Sequence, residues 1–445
     1  MGLKLFLSRL YYNKFSVEKR FEKWDYLDKT QWLSRGALLE IQENKLKAIL
    51  KYSVANVPVF NELKGKVDFT DNIEVILSKF PVTDKSFYRN AGESCRSNKS
   101  EELKYFGNST SGSTGESFYF DLDMERHGWA AAAKYRTDTF SKTSPDQSRA
   151  SLWGASFDYK KKRTLKDRIR GYLTPFTFLS SYDLSEEKIK EYVVLLRKNR
   201  PQLLISYPTP LVEFSEYCLK YGIELNFIKS IICSSEQLYD FQREIIETAF
   251  KAEVYNRYGT REFGSIAQEC GQGKGLHVNV ERVFIEILDE NDKSCKPGEK
   301  GQLVITDLDN KIMPLVRYKV GDFAAWDLST SCRCGRGLPK LKFVEGRSFD
   351  VIKTPNGTVI SGTFWTLLIR YVSKDIKEFQ ILQNTKSSID INIVTLSGKM
   401  INETEAKTLE LRIKEKDENL IVSINLVPEI KLTKSGKRRF VISNL

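Results

Sequence analysis

The chain has 445 residues, 41% of them hydrophobic and 12% aromatic, enough for a large core and too apolar for global disorder. Its 70 Lys and Arg against 58 Asp and Glu give a formal net charge of +12. With no aromatic-interleaved basic motif, that charge reads as solubility plus affinity for anions, not as nucleic-acid binding. No run of about 18 apolar residues occurs, so no transmembrane helix is expected, and Met1–Leu7 turns polar too soon for a secretory signal. A cytoplasmic chain keeps its thiols reduced, so clusters among the seven cysteines point to metal or catalysis rather than disulfides.

Residues 1–70 place Leu38, Ile41, Leu46, Ile49 and Val54 near helical spacing, and Pro58 ends that helix because the residue before proline avoids the α region. Phe80–Lys85 reads as a loop entering a short helix, capped by Thr83 or Asp84. Next comes Asn108–Ser117, ten residues that supply six hydroxyls and two glycines. Consecutive N–H groups in such a turn form a concavity for anions, and hydroxyls add donors, so a phosphate is the natural guest. The Gly-Lys-Ser/Thr of a Walker loop is missing, and by composition alone a flexible linker fits equally well. Ser117–Leu122 alternates like a strand, and Asp123 caps a helix that reaches Phe140. A lone histidine on that helix, His127, reads as structural or exposed.

Strands and helices then alternate: Ala150–Gly154, Leu184–Lys198, Leu203–Ser206, Leu211–Tyr221, Ile228–Cys233 and Leu238–Phe250. The alternation predicts a largely parallel α/β sheet, with ligands beyond the carboxyl ends of its strands. Ser234-Ser235-Glu236 falls at such an end, as does the polar turn Tyr258-Gly259-Thr260-Arg261-Glu262, whose carboxylate can sit near a metal-bound phosphate. Cys218 and Cys233 lie on apolar segments and read as core. Lys160–Arg170 is densely basic, a solvated surface or a contact for a phosphorylated co-substrate or an anionic membrane.

Residues 278–306 alternate with period two around the turn Lys296-Pro297-Gly298-Glu299, which predicts an antiparallel β region, read as a small barrel appended to the α/β core. Asp322 follows it and can accept hydrogen bonds from a sugar diol. Cys270 and His277 flank a Gly-rich loop, and Cys332 and Cys334 share another. Thiolate and imidazole are zinc's structural donors; the tight Cys-x-Cys spacing leaves unrelated reduced thiols as the alternative. From Gly346 the texture changes to a small α+β unit: strands at Ile376–Asn384, Ile389–Thr395 and Leu420–Val427, a charged helix capped by Asn402 or Thr404, and a basic tail, Lys431–Phe440.

Five stretches in order resemble the motifs of the adenylate-forming superfamily, in the CapK-like branch of the phenylacetate–CoA ligase family. They are Thr110-Ser111-Gly112-Ser113-Thr114-Gly115, Tyr258–Glu262, Arg317–Asp322, Gly346-Arg347 and Leu432–Lys437, and the likeness spans nearly the whole chain. The resemblance implies an α/β N-terminal domain, 1–345, with a mobile C-terminal lid, 346–445. It implies ATP-dependent attack of a carboxylate on the α-phosphate, giving acyl-adenylate and pyrophosphate, then transfer of the acyl group. In that scheme the hydroxyl loop holds the β- and γ-phosphates. Glu262 binds magnesium, Tyr258, Gly259 and Thr260 lie beside the adenine, and Ser235 and Glu236 line the nucleotide pocket. Asp322 and Arg347 bind the ribose diol, and Lys437 joins carboxylate and α-phosphate. The family's Cys…His…Cys-x-Cys loops add Cys270, His277, Cys332 and Cys334 as a structural zinc site.

Departures accompany the likeness. Ser117 replaces the proline that many relatives carry after the phosphate loop, the following lysine is absent, and Phe349-Asp350 stands for a pair of aspartates, which puts the hinge in doubt. The partners implied are a small carboxylic acid and an acceptor, either CoA or an amino sugar linked to a nucleotide or lipid in surface polysaccharide synthesis. A catalytically silent nucleotide-binding scaffold is the reading of another class, and intact Glu262, Asp322 and Lys437 count against it. The acid's pocket is expected along Trp153–Asp158 and Ser180–Asp183.

Overall fold

Side-chain caps mark where the N-terminal helices begin. Ser34 accepts the amide of Ala37 at the head of α3 (Arg35–Asn56), Asn72 that of Val75 at α4 (Ile73–Lys79), and Asp84 that of Phe87 at α5 (Lys85–Ala91). Each satisfies a donor that helix geometry leaves without an intrahelical partner. Two further helices, α1 (Leu3–Phe15) and α2 (Arg20–Thr30), precede them. The computed structural model describes residues 3–15, 18–110, 118–154, 175–181, 184–346, 351–361, 364–365, 368–369, 372–373, 375–431 and 439–445. The chain divides into two compact units, Met1–Glu345 and Gly346–Leu445.

In the first unit, β1 (Tyr105–Thr110) and β2 (Phe118–Asp123) pair antiparallel as a separate two-stranded ribbon. Asp123 ends it and caps α6 (Met124–Phe140) by accepting the amide of Arg126, as its position before the helix predicts. Parallel strands follow: β3 (Arg149–Trp153), β4 (Phe176–Ser180), β5 (Leu203–Ser206), β6 (Ser230–Ser234) and β7 (Glu253–Thr260). Helices α7 (Glu186–Asn199), α8 (Pro208–Lys220) and α9 (Asp240–Phe250) connect the later members. Every residue of β5 and β6 is buried, as strands covered on both faces must be. Cys218 and Cys233 lie in that core.

β7 is where the sheet changes character. β8 (Gly264–Gln268) doubles back on it, antiparallel, and β9 (Leu276–Val278), β10 (Val283–Leu288), β11 (Gly301–Asp307), β12 (Tyr318–Trp326) and β13 (Lys340–Glu345) continue outward. The order β10-β11-β12-β13-β9-β8-β7-β6-β5-β3-β4 makes a single 11-stranded sheet, open at both edges among the described residues. The antiparallel region therefore extends the parallel sheet instead of closing into the small barrel expected from sequence. Period-two alternation sets which face of a strand is buried; it does not reveal which edge the strand joins. The doubling back needs bare backbone: a Cβ on Gly259 would lie 2.4 Å from the carbonyl oxygen of Gly264, whose φ is +72°.

The second unit has a four-stranded sheet of order β18-β17-β16-β19, from β16 (Ile376–Thr385), β17 (Ser388–Thr395), β18 (Ile421–Leu426) and β19 (Val441–Ser443). A small ribbon, β14 (Val351–Lys353) with β15 (Val359–Ser361), accompanies it. Ile381, Ile391 and Ile393 pack with Leu409 and Ile413 of α10 (Glu403–Lys414), which Asn402 caps reciprocally with Glu405. Among the described residues of either unit, no helix is long and apolar enough to cross a membrane.

Candidate active site

Three sequence-distant segments meet where β7 leaves the sheet. The Tyr258 hydroxyl, on β7, donates to Asp322 Oδ2, on β12, at 2.6 Å. Arg261 Nη1, in the turn after β7, donates to the carbonyl of Ser109 at 3.0 Å, and Lys85 Nζ lies 3.4 Å from Thr110 Oγ1. The base of the hydroxyl loop, the Tyr258–Glu262 turn and Asp322 thus share one neighbourhood. Gly259 and Thr260 are the last residues of β7, and Thr260 Oγ1 accepts the amide of Phe263, closing the turn that follows.

Buried arginines hold that turn from below, a feature that sequence reasoning missed. Arg126, 3% exposed on α6, donates Nη2 to the carbonyl of Glu262 at 2.5 Å and Nε to Asp307 at 3.1 Å. Arg282 donates to the carbonyl of Phe263 at 3.2 Å and to Asp309 at 3.0 Å. Glu262 is 5% exposed, and among the described residues no lysine or arginine pairs with its carboxylate. A carboxylate fixed by its own backbone and left without a protein cation suits a hard divalent ion. Arg257, one residue before Tyr258, ion-pairs with Asp138, which Arg149 also reaches at 2.8 Å. Burial pushes the Asp138 carboxyl up, but the two guanidiniums outweigh it and hold it below the usual range. In sequence these residues look like ordinary surface charges, since α6 alone carries Glu125, Arg126, Lys134, Arg136 and Asp138.

Ser235 and Glu236 follow β6 at its carboxyl end, beside Tyr258, because Ser234 pairs with Arg257 across the ladder. Ser235 takes φ +69°, a left-handed conformation that strains a residue with a Cβ, and such strain gathers at functional positions. Glu236 Oε2 accepts the amide of Thr209 at 3.2 Å. His127 rests edge-on against Phe106 of β1 and lies 3.6 Å from Glu18, a packing position on the flank of the ribbon. Ser111, Gly112, Ser113, Thr114, Gly115, Arg347, the Phe349-Asp350 pair, Lys437 and the basic segment Lys160–Arg170 lie outside the described residues, as do 155–158 and 182–183 of the expected acid pocket.

The four metal-type residues do come together. One ligand atom each from Cys270, His277, Cys332 and Cys334 lies within 4.8 Å of all the others. Cys270 Sγ is 3.7 Å from Cys332 Sγ, and Cys334 Sγ is 3.3 Å from His277 Nε2. A tetrahedral zinc with bonds of about 2.3 Å places its sulfurs about 3.8 Å apart, so the thiol spacing fits. His277 Nδ1 meets the carbonyl of Leu338 at 2.9 Å, which fixes the tautomer and turns Nε2 toward the sulfurs. Burial pushes the Cys270 thiol up to about 12. It pushes Cys334 up too, but hydrogen bonds from His277 and Arg336 overcome it and bring that thiol down to about 5. The Cys332–Cys334 loop is anchored on the N-terminal helices: Gly337 donates to the carbonyl of Gln31 at 3.0 Å, and a Cβ on Gly337 would strike the carbonyl of Leu33.

Comparison with known proteins follows the same division. Residues 352–444 match the family model described as the CapK C-terminal domain. The chain is 25% identical to protein CapK of Staphylococcus aureus over 453 aligned positions, 97% of this chain and 95% of that one. It is 24% identical to the phenylacetate-coenzyme A ligase of Pseudomonas putida, over 73% of this chain and 74% of that protein. Among solved structures, 2-hydroxyisobutyryl-CoA ligase in the postadenylation state with 2-HIB-AMP superimposes with a TM-score of 0.71 at 16% identity, covering 91% of this chain and 89% of that chain. The anthranilate CoA ligase AuaEII with anthranoyl-AMP matches at 0.54 and 16% identity, covering 75% and 65%. Residues 352–444 thus match the CapK C-terminal domain, the chain resembles a CapK protein along nearly its whole length, and its fold is that of these ligases.

Proposed function

We propose that the chain activates a small carboxylic acid with ATP and passes the acyl group to a second substrate. A carboxylate oxygen attacks the α-phosphorus, the bond to pyrophosphate breaks, and an acyl-adenylate forms. A thiol or amine then attacks the acyl carbon, the bond to AMP breaks, and the nucleophile's proton is lost. The observation that carries this reading is the Tyr258–Asp322 contact at 2.6 Å, which joins two nucleotide motifs that lie far apart in sequence. Thr110 and Ser111–Gly115 would cradle the outer phosphates, Ser235, Glu236, Tyr258, Gly259 and Thr260 would line the base, and Asp322 with Arg347 would take the ribose diol. Glu262 would hold magnesium, whose charge offsets that of the phosphate oxygens, and Lys437 would bring carboxylate and α-phosphate together. The donor spacing at Cys270, His277, Cys332 and Cys334 supports zinc with all four positions filled by protein, a structural role rather than a reactive one.

The likeness to CapK favours an acceptor amine on a sugar of a surface polysaccharide, with cytoplasmic chemistry on a nucleotide- or lipid-linked precursor. The ligase relatives favour CoA as the alternative. Acid-dependent exchange of radiolabel between pyrophosphate and ATP, screened over aryl, acyl and amino acids, tests the first half. Exchange that requires an acid is expected; tight ATP binding with no exchange for any acid would leave a silent scaffold. Product analysis with CoA and with amino sugars then separates thioester from amide.

A further inference from the structure

A row of side chains crosses the carboxyl ends of β4, β3, β5 and β6. Ser181, just past β4, donates its amide to the carbonyl of Trp153 at the end of β3, at 3.1 Å. The Trp153 ring lies against Tyr207, just past β5, with centroids 4.1 Å apart and planes at 36°. Two residues on, Thr209 in the first turn of α8 donates its amide to Glu236, past β6. Two hydroxyls in this row, Ser181 Oγ and Thr209 Oγ1, are buried and meet no hydrogen-bond partner among the described residues. Ser181 as a whole is 6% exposed.

The neighbouring hydroxyls behave differently. Ser206 Oγ donates to the carbonyls of Leu152 and Tyr207 at 3.2 and 2.8 Å, and Ser234 Oγ to that of Arg257 at 2.8 Å. The hydroxyls of Ser206 and Ser234, at the ends of β5 and β6, are thus satisfied, whereas those of Ser181 and Thr209 just beyond the strand ends have no partner among the described residues. Buried polar groups in folded proteins are almost always partnered, so an exception calls for a cause.

We infer that this row recognises the organic part of the acid, and that the acid carries a hydroxyl or ammonium group of its own beside an apolar body lying along Trp153 and Tyr207. The inference rests on the adenylation reading, which places the acid beyond the strand ends. Serine and threonine hydroxyls both donate and accept, and the Glu236 carboxylate nearby adds negative charge, so a group able to donate hydrogen bonds is the complement. An acid without it leaves both oxygens buried and unbonded, which is why sites of this kind reject such analogues strongly.

Matched acids test the idea in the full chain with ATP and magnesium: phenyllactic acid and phenylalanine against 3-phenylpropionic acid, and lactic acid and alanine against propionic acid. Initial rates of pyrophosphate release give kcat/KM for each. The substituted member should be preferred by about tenfold or more, and whichever of the hydroxy and amino arms wins identifies the group. Ser181→Ala and Thr209→Val should pull that ratio toward one, by weakening use of the substituted acid and relieving the unbonded oxygen that penalises the unsubstituted one. The ratio is taken within one protein, so partial loss of folded enzyme cancels. Equal or better use of the unsubstituted acids by the wild type overturns the inference and leaves adenylation standing, as does a preference that survives in both variants. Silence with every acid while ATP still binds removes the adenylation reading, and the inference with it.

Discussion

Replacing Tyr258 by phenylalanine keeps the ring and removes one hydroxyl, the one that donates to Asp322 Oδ2 at 2.6 Å. A hydrogen bond to a charged group contributes about 1.5–3 kcal/mol. Both residues are half-buried, so water recovers part of that loss, and about 1–1.5 kcal/mol is the expected cost. At 1.4 kcal/mol per factor of ten, this is roughly a five- to tenfold weaker hold on ATP. The carboxylate survives, so kcat should stay within about twofold, the pattern of an interaction shared by ground and transition states. Asp322→Ala should cost more, because it removes the proposed ribose ligand itself. The double variant should be no worse than Asp322→Ala, since the phenol acts through the carboxylate. Calorimetric titration with ATP, paired with pyrophosphate exchange, measures all three. Independent, multiplying losses, or an ATP affinity untouched by Asp322→Ala, would refute the reasoning.

Further outcomes follow from the same geometry. Glu281, fully buried, receives Arg136 at 2.6 and 2.9 Å and the Thr30 hydroxyl at 2.6 Å; Glu281→Gln should destabilise the first unit by about 3–5 kcal/mol in denaturant titration, because an uncompensated guanidinium remains. Burial pushes that carboxyl up, but Arg136 holds it below its ordinary value of 4.5. Its stabilisation is therefore complete above that value and lost as pH falls through the lower folded one, so the variant should have a shallower acid limb. Elemental analysis should find one zinc per chain in wild type and none in Cys334→Ser, with a lower melting temperature after chelation; a metal-free protein that melts no earlier would count against the site. Lys437→Ala should abolish acyl-adenylate formation yet leave ATP binding largely intact, and unchanged turnover would remove the lysine from its role.

Much of the fold was legible because local physics announces it. Asp84, Asp123 and Asn402 each accept an amide where a helix begins, and Leu203–Ser206 is a strand with the bounds that its apolar run predicts. The extension of the sheet was not legible, since β9 pairs with β13 across more than sixty residues and no short pattern encodes that partnership. Side-chain chemistry was legible where a residue type is rare. Cys270, His277, Cys332 and Cys334 stood out on spacing, and Asp322 through its motif. Arg126, Arg136, Arg282, Asp307 and Glu281 did not, because a charged residue earns no suspicion until burial is known. Trp153 was read as part of a pocket wall; that it lies against Tyr207, and that the hydroxyls of Ser181 and Thr209 have no partner among the described residues, required coordinates.

One continuous sheet carries both Tyr258 and Asp322, whereas the strands that bracket the hydroxyl loop form a ribbon of their own. A broad, cross-linked surface bends only at the expense of many ladders together, and the ribbon is held to it by side chains, with Phe118, Phe120 and Leu122 of β2 buried in the same core as Tyr318 of β12. The proposed nucleotide platform therefore rests on two supports of different kinds: a ladder under Tyr258 and Asp322, and a packed aromatic face under the base of the hydroxyl loop.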